Sequence, residues 1–412
     1  MPSEIKSSHL MVPVLLGACG IAAVASYYLL TPGIDFQVYH AAGNATLQGG
    51  SQLYGPQSGL GWPMQYRYPP LFLLLFAPFA VLPLAVAFVI WNFIKLVVLG
   101  MLLITFTRQS SLKGLSPNWM VASVLAIPYL FLEFKYGNAQ FFVFALVCLT
   151  LLSLPEHPVR AGGALGLAIG LKVWPLFFVP YLFAGKHWKA ASYAAIGAVL
   201  ITLAPMIYWG WSGNLDLLQQ WYGYEHQIAG TPAHMWFPSQ SLRGLLTRYL
   251  TDIPYETLPD PNYMKINLAS LDGGLVYFLW ILLAGCGYLA LLKTAWKQEQ
   301  GASKLEMHGL AMCALALLQP HSQKQTALVV LILPAIVASA RLKDTMPQWG
   351  KMCVYGAITA SVVQLVFASS RAQRLFQVLG VDTLIMSLLA IGLIASLSKP
   401  SRRQYPEFTG ID

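Results

Sequence analysis

Charged side chains are scarce in this sequence. Asp, Glu, Lys and Arg make up only 10% of the 412 residues, and hydrophobic residues make up 57%. An average soluble domain carries about 25% charged residues. A chain this apolar could not cover its surface with polar groups in water, so most of its length needs a lipid bilayer as solvent. This excludes a soluble enzyme, a disordered protein and a fibrous protein.

Cysteine is sparse and shows no pattern. The five cysteines lie far apart in apolar stretches, and no C-x-x-C pair occurs. Their positions are Cys19, Cys148, Cys286, Cys313 and Cys353. Thiols of this kind pack as small buried hydrophobic groups. A disulfide scaffold and a cysteine-based metal site are therefore excluded.

Nucleotide-binding and hydrolase motifs are missing as well. The sequence has no P-loop, no glycine-rich dinucleotide loop, no H-E-x-x-H and no G-x-S-x-G. The net charge of +9 comes without any run of five basic residues, so we expect no nucleic-acid partner. Such an excess marks cytoplasmic loops that face anionic lipid. An enzyme with external chemistry and no nucleotide site would need an activated donor already in the membrane, such as a lipid-phosphate sugar.

Long apolar runs dominate what is present. Residues 10–30 form an apolar run long enough to span about 30 Å of hydrocarbon. A signal-peptidase site at Ala23-Val24-Ala25 and a lipoprotein site before Cys19 compete with this interpretation, but the run continues past both. We predict an uncleaved first helix with a cytoplasmic amino terminus. The further apolar runs are 69–106, 117–133, 139–154, 161–185, 190–209, 274–292, 306–319, 326–340, 351–369 and 381–397.

These runs predict an all-α polytopic membrane protein with about 11 to 12 membrane segments, folded as a single domain over 1–412. Two longer gaps, 31–68 and 210–273, are predicted to be external loops, together with the 320–325 turn. The prediction rests on the positive-inside rule, because short basic connectors separate the other runs. These connectors are 186–189, 293–304, 341–351 and 401–403.

The run 69–106 allows two arrangements. It is too long for one helix and short for two, and Leu82-Pro83 breaks it because proline removes a helix hydrogen bond. One arrangement is a hairpin of two spans. The other makes 69–81 a half-helix or re-entrant piece and 84–106 the span. Positive-inside counting favours the second, which requires the run 161–185 to turn at Lys172.

Asp35 lies shortly after the first apolar run, at the border between membrane and water. Aspartate is a good N-cap, and residues 38–42 resemble the start of an amphipathic helix on the membrane surface. One interpretation therefore makes Asp35 a helix cap. The other makes its carboxylate a general base at the membrane boundary.

Two basic residues stand at the ends of apolar runs. Arg67 precedes Pro69-Pro70, which fits the first turn of a helix. It is either an interfacial arginine among belt tyrosines or a phosphate contact, since guanidinium binds phosphate oxygens in bidentate fashion. Lys172 interrupts an apolar run. A lysine there is costly unless it is paired or hydrated, which favours a functional role.

Two polar segments interrupt the apolar pattern elsewhere. The first carries Asn138 and Gln140 at the start of an apolar run. Asn138 is either a helix cap or, with Gln140, a contact for sugar hydroxyls, because amides both donate and accept hydrogen bonds. The second, residues 319–325, is either a hydrophilic turn or a site in which His321 titrates and Lys324 holds a phosphate.

Aromatic rings are concentrated in the 210–273 gap, where Trp236 is one of several. They form either an interfacial belt or a wall for a sugar ring. Glu225, His226 and His234 lie in the same gap. Adjacent residues do not converge on one face of a helix, so we expect no metal site.

Six short motifs follow one another between residues 31 and 335. They are Asp35-Phe36-x-Val38-Tyr39-x-Ala41 with Gly49 and Leu53-Tyr54, Tyr66-x-Tyr68-Pro69-Pro70-Leu71, Gly137-Asn138-Ala139-Gln140, Gly166-Leu167-Ala168 to Lys172-x-x-Pro175, Pro238-Ser239-Gln240-Ser241-Leu242 and Pro320-x-Ser322. In this order they resemble glycosyltransferase family 87. The resemblance implies a GT-C fold, as in bacterial polyprenyl-phosphate-mannose-dependent α-mannosyltransferases.

That resemblance implies transfer of a hexose, mannose, from polyprenyl phosphate to a lipid-linked or glycan acceptor, with inversion at C1 and no cofactor. By the same resemblance Asp35 is the catalytic base and His321 assists it. The departing phosphate is stabilised by Arg67, Lys172 and Lys324. Sugar and acceptor contacts are expected from Tyr39, Tyr68, Asn138, Gln140, Trp236 and Gln240.

One motif departs from the family. The family often has Trp and His after Pro-x-Ser, where this chain has Gln323 and Gln325. Two other functions compete with the transferase. A transporter or flippase of a lipid-linked sugar would keep its activity without Asp35, and a non-catalytic assembly subunit is the third hypothesis. For the transferase we expect a bacterial inner membrane location with the active site on the periplasmic side.

Overall fold

A computed structural model describes most of the chain. The described residues are 20, 22, 32–50, 52–55, 65–108, 117–154, 156–229, 237–253, 264–298, 304–324, 327–342 and 346–398. The predicted first helix at 10–30 lies almost wholly outside them, and Trp236 lies outside them too.

The predicted all-α membrane fold is confirmed. Within the described ranges the chain forms sixteen α-helices and no strand, apart from an isolated antiparallel bridge between Ser239 and Gln323. The helices are α1 Ile34–Leu47, α2 Pro70–Ala80, α3 Leu84–Arg108, α4 Trp119–Tyr136, α5 Gln140–Ser153, α6 Pro158–Leu171, α7 Phe178–Ala184, α8 Trp188–Leu203, α9 Met206–Ala229, α10 Leu242–Leu250, α11 Gly273–Lys297, α12 Lys304–Leu318, α13 Ile332–Arg341, α14 Gln348–Val366, α15 Ser370–Leu379 and α16 Val381–Leu397.

The break at Leu82-Pro83 settles the arrangement of the run 69–106. Helix α2 has only 11 residues, and α3 has 25. At 1.5 Å per residue these lengths are about 16 Å and about 37 Å, so only α3 is long enough to cross the hydrocarbon. The second arrangement, a short helix followed by one span, is therefore the one that the chain adopts. The predicted turn at Lys172 is also present, because α6 ends at Leu171.

Full-length spans are fewer than the apolar runs. Among the residues that the structure describes, three segments are long and apolar enough to cross a bilayer alone, namely Leu84–Phe106, Trp119–Tyr136 and Gly273–Lys297. The described residues reach five if two bent pairs each count as one span: α8 with α9, bent by 89°, and α15 with α16, bent by 56°.

Of the about 11 to 12 predicted membrane segments, the described residues therefore contain three to five complete spans, and the predicted segment at 10–30 lies almost wholly outside them. Among the described residues, the run 351–369 forms the 19-residue α14, which is not one of the candidate spans. The other remaining apolar runs form helices of 10–17 residues. Such helices reach only about 15 to 26 Å, less than the roughly 30 Å of hydrocarbon. Hydropathy records that these segments are apolar, but it does not record where they end or bend.

The two predicted external loops contain helices. In 31–68 the chain forms α1, and half of the residues of this helix are buried against the rest of the protein. In 210–273 it forms most of α9 and all of α10. Gly210 interrupts α9 with φ +70, a left-handed conformation that favours glycine. The side chains of these helices therefore have defined positions within the described parts of both segments.

Helices α6 and α8 pack through a seam of small residues. Gly162, Gly166 and Gly170 are spaced four residues apart and share one face of α6. A Cβ atom built on Gly166 would lie 2.9 Å from the backbone nitrogen of Ala198. Small residues at this spacing let two membrane helices approach closely. The seam places the end of α6 against α8, where a Cβ atom on Gly170 would collide with the Cγ2 of Ile201.

We expect Gly166→Ala to lower the thermal unfolding temperature of the purified protein in detergent, because the backbone of α8 cannot yield to the new methyl group. Overpacking of this kind costs about 1–3 kcal/mol. Gly163→Ala is the matched control, since nothing lies within 4 Å of its Cβ position and alanine is the better helix former by about 1 kcal/mol. Equal unfolding temperatures for the two variants would contradict the close approach.

Candidate active site

Asp35 lies in the first turn of α1 and does not cap it. The helix begins at Ile34, its N-cap is Gly33, and no side chain caps it. The interpretation of Asp35 as a helix cap is therefore wrong. Gly33 packs against the backbone at the end of α4, where a Cβ atom would collide with Tyr136. This close approach brings Asp35, which is only 9% exposed, to the turn that follows α4.

Asn138 in that turn holds the Asp35 carboxylate. Its Nδ2 donates a hydrogen bond of 2.7 Å to Asp35 Oδ2. Its Oδ1 accepts bonds from the Tyr68 hydroxyl at 3.0 Å and from the backbone N–H of Gln140 at 2.9 Å. Because two donors point at Oδ1, the amide can present only its NH₂ group to Asp35. The side-chain orientation of Asn138 is thus determined by its neighbours.

The turn itself is shaped by glycine. Gly137 ends α4 in the left-handed region with φ +67, and the backbone N–H of Asn138 donates to the Glu133 carbonyl at 3.2 Å. This is the usual way in which a helix ends at a glycine. A Cβ atom on Gly137 would lie 2.5 Å from the Cβ of Phe36. Glycine is therefore needed here both for its conformation and for the close approach of α1.

Burial changes the acidity of the base candidate. Removal from water raises the pKa of the Asp35 carboxyl above its usual range. The hydrogen bond from Asn138 and the positive charges of Lys172 and Lys95 oppose this change without cancelling it. Such a carboxylate is a stronger base than one in water.

Lys172 belongs to the same group of side chains. It follows α6 in an extended conformation, and its Nζ lies 4.1 Å from the centre of the Tyr68 ring. Burial and the nearby positive charge of Arg67 lower the pKa of Lys172 to about 8. Trp174, two residues later, donates from Nε1 to Gln140 Oε1 at 2.8 Å. The turn after α6 is therefore tied to the turn after α4.

Tyr39 and Arg67 complete this group. The Tyr39 ring packs edge-to-face on the Tyr68 ring, with 5.2 Å between the ring centres. Arg67 forms a bidentate ion pair with Glu225, with both nitrogen–oxygen distances 2.8 Å. Its guanidinium is thus held by a carboxylate of α9 and is only partly exposed. The sequence did not predict this partner.

We call these residues the Asp35 cluster: Asp35, Tyr39, Arg67, Tyr68, Asn138, Gln140 and Lys172. All seven were predicted from the sequence, and the structure joins them through contacts between four separate segments. The cluster offers one buried carboxylate, one lysine and one arginine, together with the hydroxyl and amide groups that suit a sugar.

Lys324 is placed elsewhere. Its Nζ lies 3.1 Å from Asp382 Oδ2, and Lys324 and Asp382 are almost fully buried. Gln364 and Gln373 also accept hydrogen bonds from Nζ, and Tyr129 donates to Asp382 Oδ1 at 3.0 Å. A lysine so enclosed neutralises a buried carboxylate. This environment does not fit the predicted phosphate contact.

Gln240 and His321 lie beside that ion pair. The backbone of Gln240 donates to the Ser322 carbonyl at 2.6 Å, so the 237–241 segment pairs with the polar turn that carries half-buried His321. The Gln240 side chain is fully buried and donates to two backbone carbonyls, those of Phe237 and Gln377. Gln240 therefore joins chain segments and does not line an open cleft.

Several charged residues that shape this region escaped prediction. Lys95 and Glu133 form a buried ion pair, and Asp382 and Glu225 are the partners of Lys324 and Arg67. A signal for Lys95 was available, because it interrupts an apolar run as Lys172 does, and such a charge needs a partner. The identity of each partner was not readable, because the partners are distant in sequence.

We expect Lys324→Met to lower stability strongly, because it leaves Asp382 buried without its counter-charge. Breaking such a pair costs about 3–5 kcal/mol. The double variant Lys324→Met with Asp382→Asn should recover most of the unfolding temperature and bind polyprenyl-phosphate-mannose like the parent. A well-folded double variant with much weaker donor binding would return Lys324 to the phosphate site.

Comparison with known proteins gives a family match. The model of glycosyltransferase family 87 matches residues 66–320. Two curated relatives are named polyprenol-phosphate-mannose-dependent alpha-(1-2)-phosphatidylinositol mannoside mannosyltransferase. The one from Mycolicibacterium smegmatis is 29% identical over 202 residues, covering 44% of this chain and 45% of the relative. The one from Mycobacterium tuberculosis is 26% identical over 234 residues, covering 52% and 53%. The alignments thus span about half the length of these relatives.

A solved structure also resembles this chain weakly. It is ArnT from Cupriavidus metallidurans bound to undecaprenyl phosphate, at 15% identity and a TM-score of 0.37, covering 94% of this chain and 76% of that one. A TM-score this low carries no conclusion. The family match is of a different kind, because it extends from the Tyr68 motif to the polar turn after α12 and so covers more than half of the chain. The chain belongs to glycosyltransferase family 87.

Proposed function

We propose that this protein is a membrane glycosyltransferase of the GT-C type that transfers a hexose, mannose, from a polyprenyl-phosphate donor to a lipid-linked or glycan acceptor. Family membership and the donor named for the mycobacterial relatives support the reaction class. The observation that carries the proposal is the Asp35 carboxylate, buried and oriented by Asn138, with Lys172 in the same cluster.

Asp35 acts as the general base in this proposal. The acceptor hydroxyl oxygen attacks C1 of the sugar as the bond between C1 and the phosphate oxygen breaks. The hydroxyl proton passes to Asp35, whose burial raises its pKa and so favours proton uptake. The attack comes from the face opposite to the phosphate, so the configuration at C1 inverts. His321 is the residue proposed to assist Asp35, either as a second base or by orienting the acceptor.

Lys172 and Arg67 receive the departing polyprenyl phosphate. Negative charge grows on the phosphate oxygens in the transition state, and fixed positive groups stabilise it most where water is excluded. The Lys172 ammonium lies over the Tyr68 ring, so its distance from the base is set by the cluster. Arg67 would share its guanidinium between Glu225 and the phosphate.

Tyr39, Tyr68 and Gln140 are the proposed sugar contacts. The Tyr68 hydroxyl binds the amide that holds Asp35, the Tyr39 ring packs on Tyr68, and the backbone N–H of Gln140 binds the same amide. The external face of a bacterial inner membrane is the proposed location. This rests on the basic connectors, such as 186–189, which the positive-inside rule places in the cytoplasm.

We expect Asp35→Asn to lower transfer about 10²–10⁴-fold, the usual contribution of a general base. The Asn oxygen still accepts the hydrogen bond from Asn138, so folding should be preserved. The assay is hexose transfer from polyprenyl-phosphate-mannose to a lipid extract, with the enzyme in lipid nanodiscs and the product detected by mass.

Asn44→Asp is the control. Asp35→Asn removes a carboxylate from α1, whereas Asn44→Asp adds one to the same helix at a half-buried position away from the base. It should transfer at close to the parental rate. A well-folded Asp35→Asn protein with full activity would remove the base from the mechanism and revive the transporter hypothesis.

The pH dependence of kcat/KM should be bell-shaped. Activity falls on the acid side as Asp35 gains a proton, and this occurs above the usual pH for aspartate because burial raises its pKa. It falls on the alkaline side as Lys172, with its pKa lowered to about 8, loses its charge.

Lys172→Arg should keep activity and move the alkaline limb to higher pH, because guanidinium stays protonated. Lys172→Met should lose most donor binding at every pH while folding normally. If the Arg and Met variants both keep the parental profile, Lys172 does not contact the donor phosphate.

A further inference from the structure

The buried pair of Lys95 and Glu133 has no role in the proposed chemistry. Lys95 lies within α3 and Glu133 within α4, both inside candidate spans, and their side chains are 0% and 1% exposed. The Lys95 Nζ lies 3.3 Å from Glu133 Oε1. Charged groups at such depth are costly even when paired, and they mark functional positions in membrane helices.

The pair holds the turn that carries Asn138. Lys95 Nζ donates to the Glu133 backbone carbonyl at 3.0 Å as well as to its carboxylate. The same carbonyl accepts the N–H of Asn138, and the same carboxylate oxygen accepts the N–H of Phe141 at 2.9 Å. Both ends of the turn are therefore fastened to this ion pair.

A third contact from α3 acts on the middle of the turn. Trp91, one helical turn before Lys95, donates from Nε1 to the Gly137 carbonyl at 3.0 Å. Lys95 Nζ also lies 5.8 Å from the centre of the Trp91 ring. One face of α3 thus presents two side chains that together determine where Asn138 stands, and so where Asp35 points.

The pair also sets part of the electrostatic field at Asp35. The charged groups that act on its carboxyl are Lys172 and Lys95, and Glu133 interacts electrostatically with the same carboxyl. The titratable hydroxyls that face it are those of Tyr39, Tyr68 and Tyr136. Lys95 and Glu133 form an ion pair with each other, and both are bonded to the turn or to its flanking backbone. A positive charge favours ionised Asp35, and a negative one opposes it.

We propose that Lys95 and Glu133 are positioning residues for Asp35, which fasten the turn of Asn138 and balance the charge felt by the base. The inference rests on the proposed role of Asp35. Neither residue touches substrate in this scheme. A positioning role differs from a purely structural link between α3 and α4, because a structural link would affect stability without affecting the protonation of Asp35.

The test is the pH dependence of kcat/KM for three variants in nanodiscs, with polyprenyl-phosphate-mannose as donor. Lys95→Met removes the positive charge, so the acid limb should move to higher pH. Glu133→Gln removes the negative charge, so the limb should move to lower pH. We expect shifts of about half to one pH unit, smaller than the 1–3 units caused by a charge in direct contact. The double variant should return the limb close to its parental position.

Trp91→Phe is the matched control. It removes the hydrogen bond to the Gly137 carbonyl without changing any charge, so kcat should fall while the acid limb stays in place. If a single-charge variant does not fold, the double variant decides, because it leaves no buried charge without a counter-charge. A folded double variant with parental kcat would overturn the positioning role, and a lowered kcat with the limb near its parental position would support it.

Failure of the inference and failure of the proposed function are distinguishable. If Asp35→Asn is inactive but both single variants keep the parental acid limb and lose only thermal stability, Lys95 and Glu133 merely link α3 to α4. If Asp35→Asn is active, the proposed base itself is wrong, whatever the limbs do.

Discussion

A charge buried among membrane helices must have a partner, and this constraint organises the whole structure. Lys95 pairs with Glu133, Lys324 with Asp382, and each pair is closed by further hydrogen bonds from neutral side chains or backbone. Removing a single partner leaves a charge that neither lipid nor protein stabilises. The helices that carry these residues therefore have fixed positions relative to one another.

Asp35 is the informative exception. Its carboxylate is buried and receives one strong hydrogen bond, from Asn138, while Lys172 and Lys95 act on it only through their charge. A carboxylate in a complete ion pair is a poor base, because its partner favours the ionised form. In the Asp35 cluster no cation forms such an ion pair with the carboxylate, and the hydrogen bond from Asn138 orients it instead. This combination is what a proton-accepting residue requires, and the paired residues around it provide the rigid surroundings.

Local chemistry was readable from the sequence, and pairing was not. The break at Pro83, the turn at Lys172 and five members of the Asp35 cluster follow from residue types at the ends of apolar runs. The other two members, Tyr39 and Tyr68, enter the site only through the family resemblance. The hydrogen bond from Asn138 to Asp35 joins residues 103 positions apart, and no periodicity encodes such a contact. The sequence assigns Lys324 to phosphate because it lies in a polar turn between two apolar runs and because of the family resemblance, and neither shows that Asp382 is its partner.

Helix α4 touches both buried ion pairs. Tyr129 donates to Asp382, and Glu133, one helical turn later, receives Lys95. An α-helix is stiff along its axis, so these two side chains cannot move apart. Any sliding or rotation of α4 that loosens the support behind Asp35 must also pull Tyr129 away from Asp382. The two polar regions are consequently coupled, because a displacement of α4 changes the contacts of both ion pairs at once.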